Sequence, residues 1–464
     1  MSLSKHEHSF FSGLRIRGRC VDHMERGRWI SLWVCLVLFT AACSGSRPAA
    51  PGEPTRFSWR QAQGTTLKVL VSETHWLQVL QNQFPKFEEL TGIRLAVEIY
   101  PQAKLWEVLE TALAEPGRVD VLMMAPTLDG PRFHRAGHLL PLNDLVRDSA
   151  LTGPEFSWDD VLPRFREASA IDGTILSVPI MGEHLGILYR KDVFKRYQVQ
   201  VPRTLSELEA AARFLHLKPM GPRNETGVGI VSRGDGATAT GIYSALLHAM
   251  GGTWFDGARR PTINGPQGLA ALEYIQRISA YAPPDLGRYG WQEASNLFTA
   301  GRAAMYIEGS SIFPILEQPS SHVAGKVGYA LFPSGPGGSG TTIAARSLAI
   351  ARRSANPRAA WLFLQWATGR EMSRWALGFE VLVPRESTWK DRSARQDVPS
   401  DLMEAFLVAG RTGHTQYVPP MVAITSAREA IGEAIGAAFR GEDIRTAADR
   451  AAARLTEILK ATEP

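Results

Sequence analysis

Residues 66–124, TLKVLVSETHWLQVLQNQFPKFEELTGIRLAVEIYPQAKLWEVLETALAEPGRVDVLMM, decide the architecture. Short apolar runs at 66–71, 93–99 and 119–124 alternate with longer segments at 76–90 and 103–114, whose apolar residues recur at helical spacing. Strands separated by helices predict a parallel sheet, because each helix returns the chain to the same end of the sheet. Right-handed crossovers then place helices on both faces. Ligand loops of such a sheet lie beyond the carboxyl ends of its strands.

The pattern continues downstream with more interruptions. Residues 175–180 and 185–189 predict two strands broken by Pro179 and Gly182, as expected of a chain passing between lobes. Thr204 with Glu207 three residues later forms a capping box ahead of the stripe Leu205, Leu208, Ala212 and Leu215. Asn264 is the expected cap of the next helix, with its stripe at Leu269, Leu272, Ile275 and Ile278. A glycine-rich loop, PSGPGGSG at 333–340, precedes a buried strand at 347–351 and a helix at 357–368. A chain of 464 residues with 44% apolar content can bury two lobes without further support.

Near the N-terminus, the apolar run 29–42 (WISLWVCLVLFTAA) follows Arg26 and Arg28 and ends at Cys43. It is shorter than the roughly 20 residues of a membrane span and fits a secretory signal with small residues at its cleavage point. Residues 1–43 are therefore expected to be a signal peptide with a lipidated Cys43, Met24 being an alternative start. An uncleaved anchor helix or a buried apolar helix is the other reading. Residues 44–63, rich in Ser, Pro, Ala and Gly, are expected to be a flexible tether. The domain would then be periplasmic or otherwise extracytoplasmic, and held to the membrane by lipid.

Cysteine and charge exclude several functions. Cys20, Cys35 and Cys43 are the only cysteines, so the remainder has no thiol for catalysis, zinc or a disulfide. No metal and no cofactor is expected. The net charge is +5, but six basic and three acidic residues fall within 1–43, which leaves +2 for the remainder. No block of Lys and Arg interleaved with aromatics occurs, which argues against nucleic acid.

Several blocks together resemble the family 1 extracellular solute-binding proteins of ABC importers, the group that includes maltodextrin and other sugar binders. They are 119–142 (VDVLMMAPTLDGPRFHRAGHLLPL), 173–194 (GTILSVPIMGEHLGILYRKDVF), 202–208 (PRTLSEL), 251–254 (GGTW) with Ile263-Asn264, and 298–310 (FTAGRAAMYIEGS). The series continues through 333–338 and 356–364 (NPRAAWLFL). The resemblance implies two α/β lobes, each a mainly parallel sheet flanked by helices, that close by a hinge on a ligand in the cleft between them. It places lobe 1 at 64–178 plus 304–345 and lobe 2 at 179–303 plus 346–464. It also implies a monomer that delivers a small-molecule ligand to the transmembrane subunits of an ABC permease.

Sugar recognition needs aromatic faces for ring C–H groups and planar polar groups for hydroxyls. Trp76 follows the first strand directly, but it can equally be a core aromatic. Asp129 follows the third strand, where it can accept hydroxyl donors or cap the helix containing Phe133. Glu183 and His184 lie in the lobe-crossing segment, a solvated turn being the alternative. Tyr243 precedes Gly251-Gly252, where the resemblance places a stacking aromatic. Trp254 and Trp291 fit either cleft or core, and Glu308 and Arg346 fit either cleft or an interlobe ion pair. Two departures, Ser311 and Thr425 where the maltodextrin type carries aromatics, point to a mono- or disaccharide, a polyol or another small polar solute. The competing functions are a secreted hydrolase using Asp129 and Glu183 as acid and base, and a receptor that presents ligand to a membrane sensor.

Overall fold

Three strands open the sheet as the pattern requires: β1 (Thr66–Ser72) runs parallel to both β2 (Arg94–Tyr100) and β3 (Val121–Met124). The computed structural model describes residues 56–221 and 223–463, so the signal segment, Cys43 and most of the expected tether lie outside the described residues. The end of that tether is folded. Phe57 and Trp59 meet edge to face with ring centres 5.1 Å apart, and a Cβ at Gly153 would come within 2.9 Å of the Phe57 ring. This corrects the expected boundary at 63, because two aromatic side chains supply the apolar area that the surrounding Pro, Ser and Gly lack.

The single helix expected over 76–90 is divided. His75–Leu80 is capped by Thr74, whose Oγ1 accepts from Leu77 N at 3.2 Å, and a tight turn at Gln81–Gln83 leads into Phe84–Thr91. Pro85 is the cause: it lacks an N–H and its ring excludes the preceding turn, but it fits the first turn of a restarted helix. β4 (Ala170–Ile171) and β5 (Thr174–Ile175) form a small hairpin around Asp172-Gly173, which take the positive φ values of 47° and 76° that a two-residue turn demands.

β6 (Val178–Arg190) is one continuous strand, not the two expected. Gly182 does not break it. It clears space for Phe165, whose ring would lie 2.4 Å from a Cβ there. Pro179 is accommodated beside a register slip in the pairing with the last strand. The remaining strands are β7 (Val228–Ser232), β8 (Ala303–Gly309), β9 (Val327–Leu331) and β10 (Ile343–Ile350). The order is β2-β1-β3-β10-β6-β8-β7, with β9 also on β6. β6 and β10 cross between lobes: β6 pairs with β10 over 178–184 and with β8 and β9 over 185–190. Both sheets are mixed, since β10 runs antiparallel to β3 and β6 antiparallel to β8 and β9, while β7 is parallel to β8.

These pairings correct the lobe boundaries. β9 and all but the first residue of β8 fall within 304–345, and both strands join β7 and the second half of β6, so they belong to lobe 2. Residues 347–350 pair with β3, and helix Pro357–Thr368 sets Phe363 against Phe87 and Phe84 at 5.3 and 6.0 Å, which puts both in lobe 1. The C-terminal helices Ile424–Phe439 and Ile444–Thr462 pack on helix Pro266–Ile278 in lobe 2. Beneath the crossing, helix Ser400–Thr412 packs on β9, on β6 and on helix Pro163–Ala168. Its Phe406 stacks on Phe165 with ring centres 5.5 Å apart.

The capping box at Thr204 forms as expected, with Glu207 N donating to Thr204 Oγ1 at 3.2 Å and the Glu207 carboxylate accepting from Thr204 N at 3.1 Å. Asn264 does not cap its helix. Gly265 takes that place, and the Asn264 amide donates to Asp449 Oδ1 at 2.8 Å on the last helix.

Candidate functional site

The loops at the carboxyl ends of β3, β7 and β8 converge with the crossing parts of β6 and β10. Helix Pro126–Arg135 starts directly after β3. Its Asp129 is 2% exposed, with Oδ2 accepting from Ala125 N at 2.8 Å and Oδ1 from Arg132 at 3.2 Å. Burial raises the Asp129 pKa, opposed by the Ala125 N–H and by the charges of Arg132 and Arg346. The Arg132 guanidinium also lies 4.5 Å from the centre of the Phe133 ring.

On the crossings, Glu183 of β6 is half-buried and its Oε2 accepts a hydrogen bond from Ser311 Oγ. A Cβ at Gly309 would stand 2.4 Å from that carboxylate, so glycine lets β8 approach it. Burial raises the Glu183 pKa; Ser311 opposes this, the Glu308 charge adds to it, and Arg233 and Arg346 oppose it. Arg346 acts on both Asp129 and Glu183 from β10, beside the register slip. A bulge there re-aims the side chain relative to a regular ladder.

On the lobe 2 side, Arg233 follows β7 and grips Glu308 with two parallel bonds of 2.7 Å, from Nε to Oε2 and from a terminal nitrogen to Oε1. Glu308 also accepts from Tyr306 OH at 3.0 Å and from Gly309 N at 2.8 Å, and Tyr306 meets Ser295 Oγ at 3.1 Å. Burial opposes the Arg233 charge, but the Glu308 carboxylate more than offsets it and the guanidinium holds its proton more firmly than an ordinary arginine. The loop is pinned because Gly234 N and Asp235 N both donate to Tyr289 O, at 2.8 and 2.9 Å, next to the half-buried Trp291. Tyr417 completes the group. It lies within the electrostatic reach of Arg346, Arg428, Glu183 and Asp129, and burial raises its pKa.

Of the expected site residues, Asp129, Glu183, Glu308 and Arg346 therefore converge, while the half-buried Trp291 packs against the main core. Four others are corrections. Trp76 is 1% exposed within the main core. Tyr243 and Trp254 pack on one another in lobe 2 with ring centres 5.4 Å apart, and their polar tips bond to Gly268 O at 3.3 Å and Ser244 Oγ at 2.9 Å. His184 points to the opposite face of β6 from Glu183, as alternation in a strand requires, and lies 6.5 Å from the Phe406 ring. Among the described residues, no group of His, Cys, Asp and Glu side chains is arranged to hold a metal ion.

The model of the bacterial extracellular solute-binding protein family matches residues 61–373. The chain belongs to that family. Among curated relatives, the erythritol/L-threitol-binding protein of Mycolicibacterium smegmatis is 27% identical over 369 residues, covering 73% of this chain and 74% of its own. The mannitol-binding protein of Pseudomonas aeruginosa is 26% identical over 316 residues, covering 67% of this chain and 70% of its own. A solute-binding protein from Agrobacterium radiobacter, solved with ribitol, superposes with a TM-score of 0.73 at 23% identity, over 86% of this chain and 99% of that one. The two-lobe periplasmic binding protein fold is thus shared.

Sequence reasoning missed Arg233, Ser311, Tyr417 and Arg428 as parts of this solute-binding protein's cleft. Arg233 had a usable signal: VGIVS at 228–232 is a buried apolar run, and the residue after such a strand is where ligand loops begin. Ser311 was noted only for lacking an aromatic ring. Tyr417 and Arg428 had no comparable signal, since one lies in an irregular segment and the other on a helix with no other marker.

Proposed function

We propose that this solute-binding protein captures a small, uncharged, polyhydroxylated solute, a short polyol or a monosaccharide, and presents it unchanged to an ABC permease. Charge balance carries the reading. Arg132 pairs with both Asp129 and Glu110, Arg233 pairs with Glu308, and the charges of Arg346 and Arg428 are opposed by the nearby Glu183 and Asp235 carboxyls, so each guanidinium has an acidic neighbour. A site neutral within itself offers little to an ionic solute. Its donors and acceptors instead suit hydroxyls, each of which is both. With Tyr243 and Trp254 spent in the lobe core, stacking faces for a long glucan are few. The ligands in the relatives' names, erythritol, L-threitol and mannitol, belong to the same chemical class.

The test is calorimetry on residues 44–464 with erythritol, mannitol, ribitol, maltose and a set of amino acids. At least one polyol is expected to bind and to be recovered intact. Arg346→Ala is expected to weaken that binding about tenfold or more, because Asp129 and Glu183 lose a shared counter-charge. Binding of charged solutes alone, or conversion of the bound polyol to a product, would overturn the proposal.

The same proposal places the protein outside the cytoplasm on a lipid anchor at Cys43. Metabolic labelling with palmitate should mark the wild type, whereas Cys43→Ala should accumulate as unlabelled precursor. Label retained by Cys43→Ala would remove the anchor from the account.

A further inference from the structure

Outside the large core there is a second, separate apolar cluster. It consists of Ala125, Leu128, Val418 and Ile424, with Trp106 and Tyr417 packed against it. Its members come from both lobes. Trp106 lies on helix Gln102–Ala114, which packs on β1 and β2, while Ala125 and Leu128 follow β3, all in lobe 1. Ile424 opens helix Ile424–Phe439, which packs on helices Thr240–Ala249 and Pro266–Ile278 of lobe 2. Leu128 and Ile424 are each 7% exposed, and Ala125 and Val418 each 2%. Separating the lobes would return these side chains to water. Along the chain the cluster alternates with the polar site, since Leu128 precedes Asp129 and Tyr417 precedes Val418.

We infer that this apolar seam is a latch that holds the two lobes shut and sets how long a solute stays bound. Ion pairs across a cleft must be desolvated as it closes and return little net energy, whereas apolar area removed from water favours the closed form in the absence of any ligand. The ligand-free protein therefore populates the closed form, and the solute adds to a bias already present. Leu128 and Ile424 act by positioning the lobes, whether or not they touch the solute. The inference rests on the cleft-binding reading only in the second arm of its test.

The first arm is small-angle scattering of ligand-free residues 44–464, comparing wild type with Leu128→Asn, Ile424→Asn, the milder Leu128→Ala and the conservative Leu128→Ile. The polar variants and Leu128→Ala are expected to have a larger radius of gyration than wild type, with circular dichroism unchanged, and Leu128→Ile to match wild type. Should either Asn variant fail to fold, Leu128→Ala decides the comparison. Ligand-free wild type as expanded as folded Leu128→Ala would overturn the latch. The second arm is stopped-flow release of erythritol, expected to be about tenfold faster in Leu128→Ala than in wild type, with association no slower because the opened cleft admits solute more readily. An unchanged release rate would also overturn it. If erythritol does not bind wild type, that counts against the proposed solute class, and the scattering arm alone decides the latch.

Discussion

Replacing Arg233 by alanine is expected to abolish solute capture and to lower the unfolding free energy by about 3 kcal/mol. The Glu308 side chain is only 6% exposed, and the bidentate guanidinium compensates its charge. Without it, a buried carboxylate keeps only the neutral donors Tyr306 and Gly309. Breaking a buried ion pair on one side costs roughly 3 to 5 kcal/mol, and the value belongs at the lower end here because Arg233 itself is partly open to water. Removing both partners should be milder, so Arg233→Met combined with Glu308→Leu is expected to regain part of the stability and none of the binding. Arg233→Lys keeps the charge but not the fork, and should fall between. Urea unfolding monitored by circular dichroism, alongside calorimetry with the best polyol, reads both quantities. An Arg233→Ala protein as stable as wild type would show that Glu308 is solvated after all.

The second large effect is on the acid side of the stability profile. His184 is buried against Phe406, its Nδ1 has no hydrogen-bond partner, and burial pushes its pKa from 6.5 down to about 4. The unfolded chain binds a proton at this position below pH 6.5, while the folded chain resists it until about pH 4. The contribution is thus fully present above pH 6.5 and is lost as the pH falls between these values. The loss totals about 3 kcal/mol. His184→Leu removes the titrating group and should flatten that limb, measured as urea midpoints from pH 7.5 down to 4.5. If wild type and His184→Leu lose stability in parallel over this range, the imidazole is not the cause.

Legibility followed the range of the interactions. The capping box of Thr204 and Glu207, the strands β1 and β2, and the helix Pro357–Thr368 were all readable, because their determinants lie within a few residues of one another. The alternation of strands and helices likewise carried the fold class. Local chemistry was misread where a neighbour distant in sequence intervened. Gly182 looks like a strand breaker until Phe165 is seen occupying the space of its missing side chain. Phe57 and Trp59 look like linker until Phe57 is found on Gly153.

The site divided along the same line. Asp129, Glu183, Glu308 and Arg346 were legible as polar groups in places where lobe crossings and strand ends expose them. Tyr243 and Trp254 were not separable into cleft or core, because nearly every residue of helix Thr240–Ala249 is buried and no polar stripe marks a solvent side. Glu183 and His184 adjoin in sequence yet serve opposite faces, and the phase of a strand is set by its pairing partners, here β10 and β8. The sequence by itself determined the element types and the absence of thiols beyond Cys43, since these depend on local periodicity and composition, and it carried the two-lobe plan through its resemblance to the family. Only the tertiary structure decided which lobe receives 304–345 and that Arg233, Ser311 and Tyr417 complete the cleft. Strand pairing and side-chain hydrogen bonds join residues more than a hundred positions apart, as Ser311 on Glu183 shows, and no local pattern encodes such a meeting.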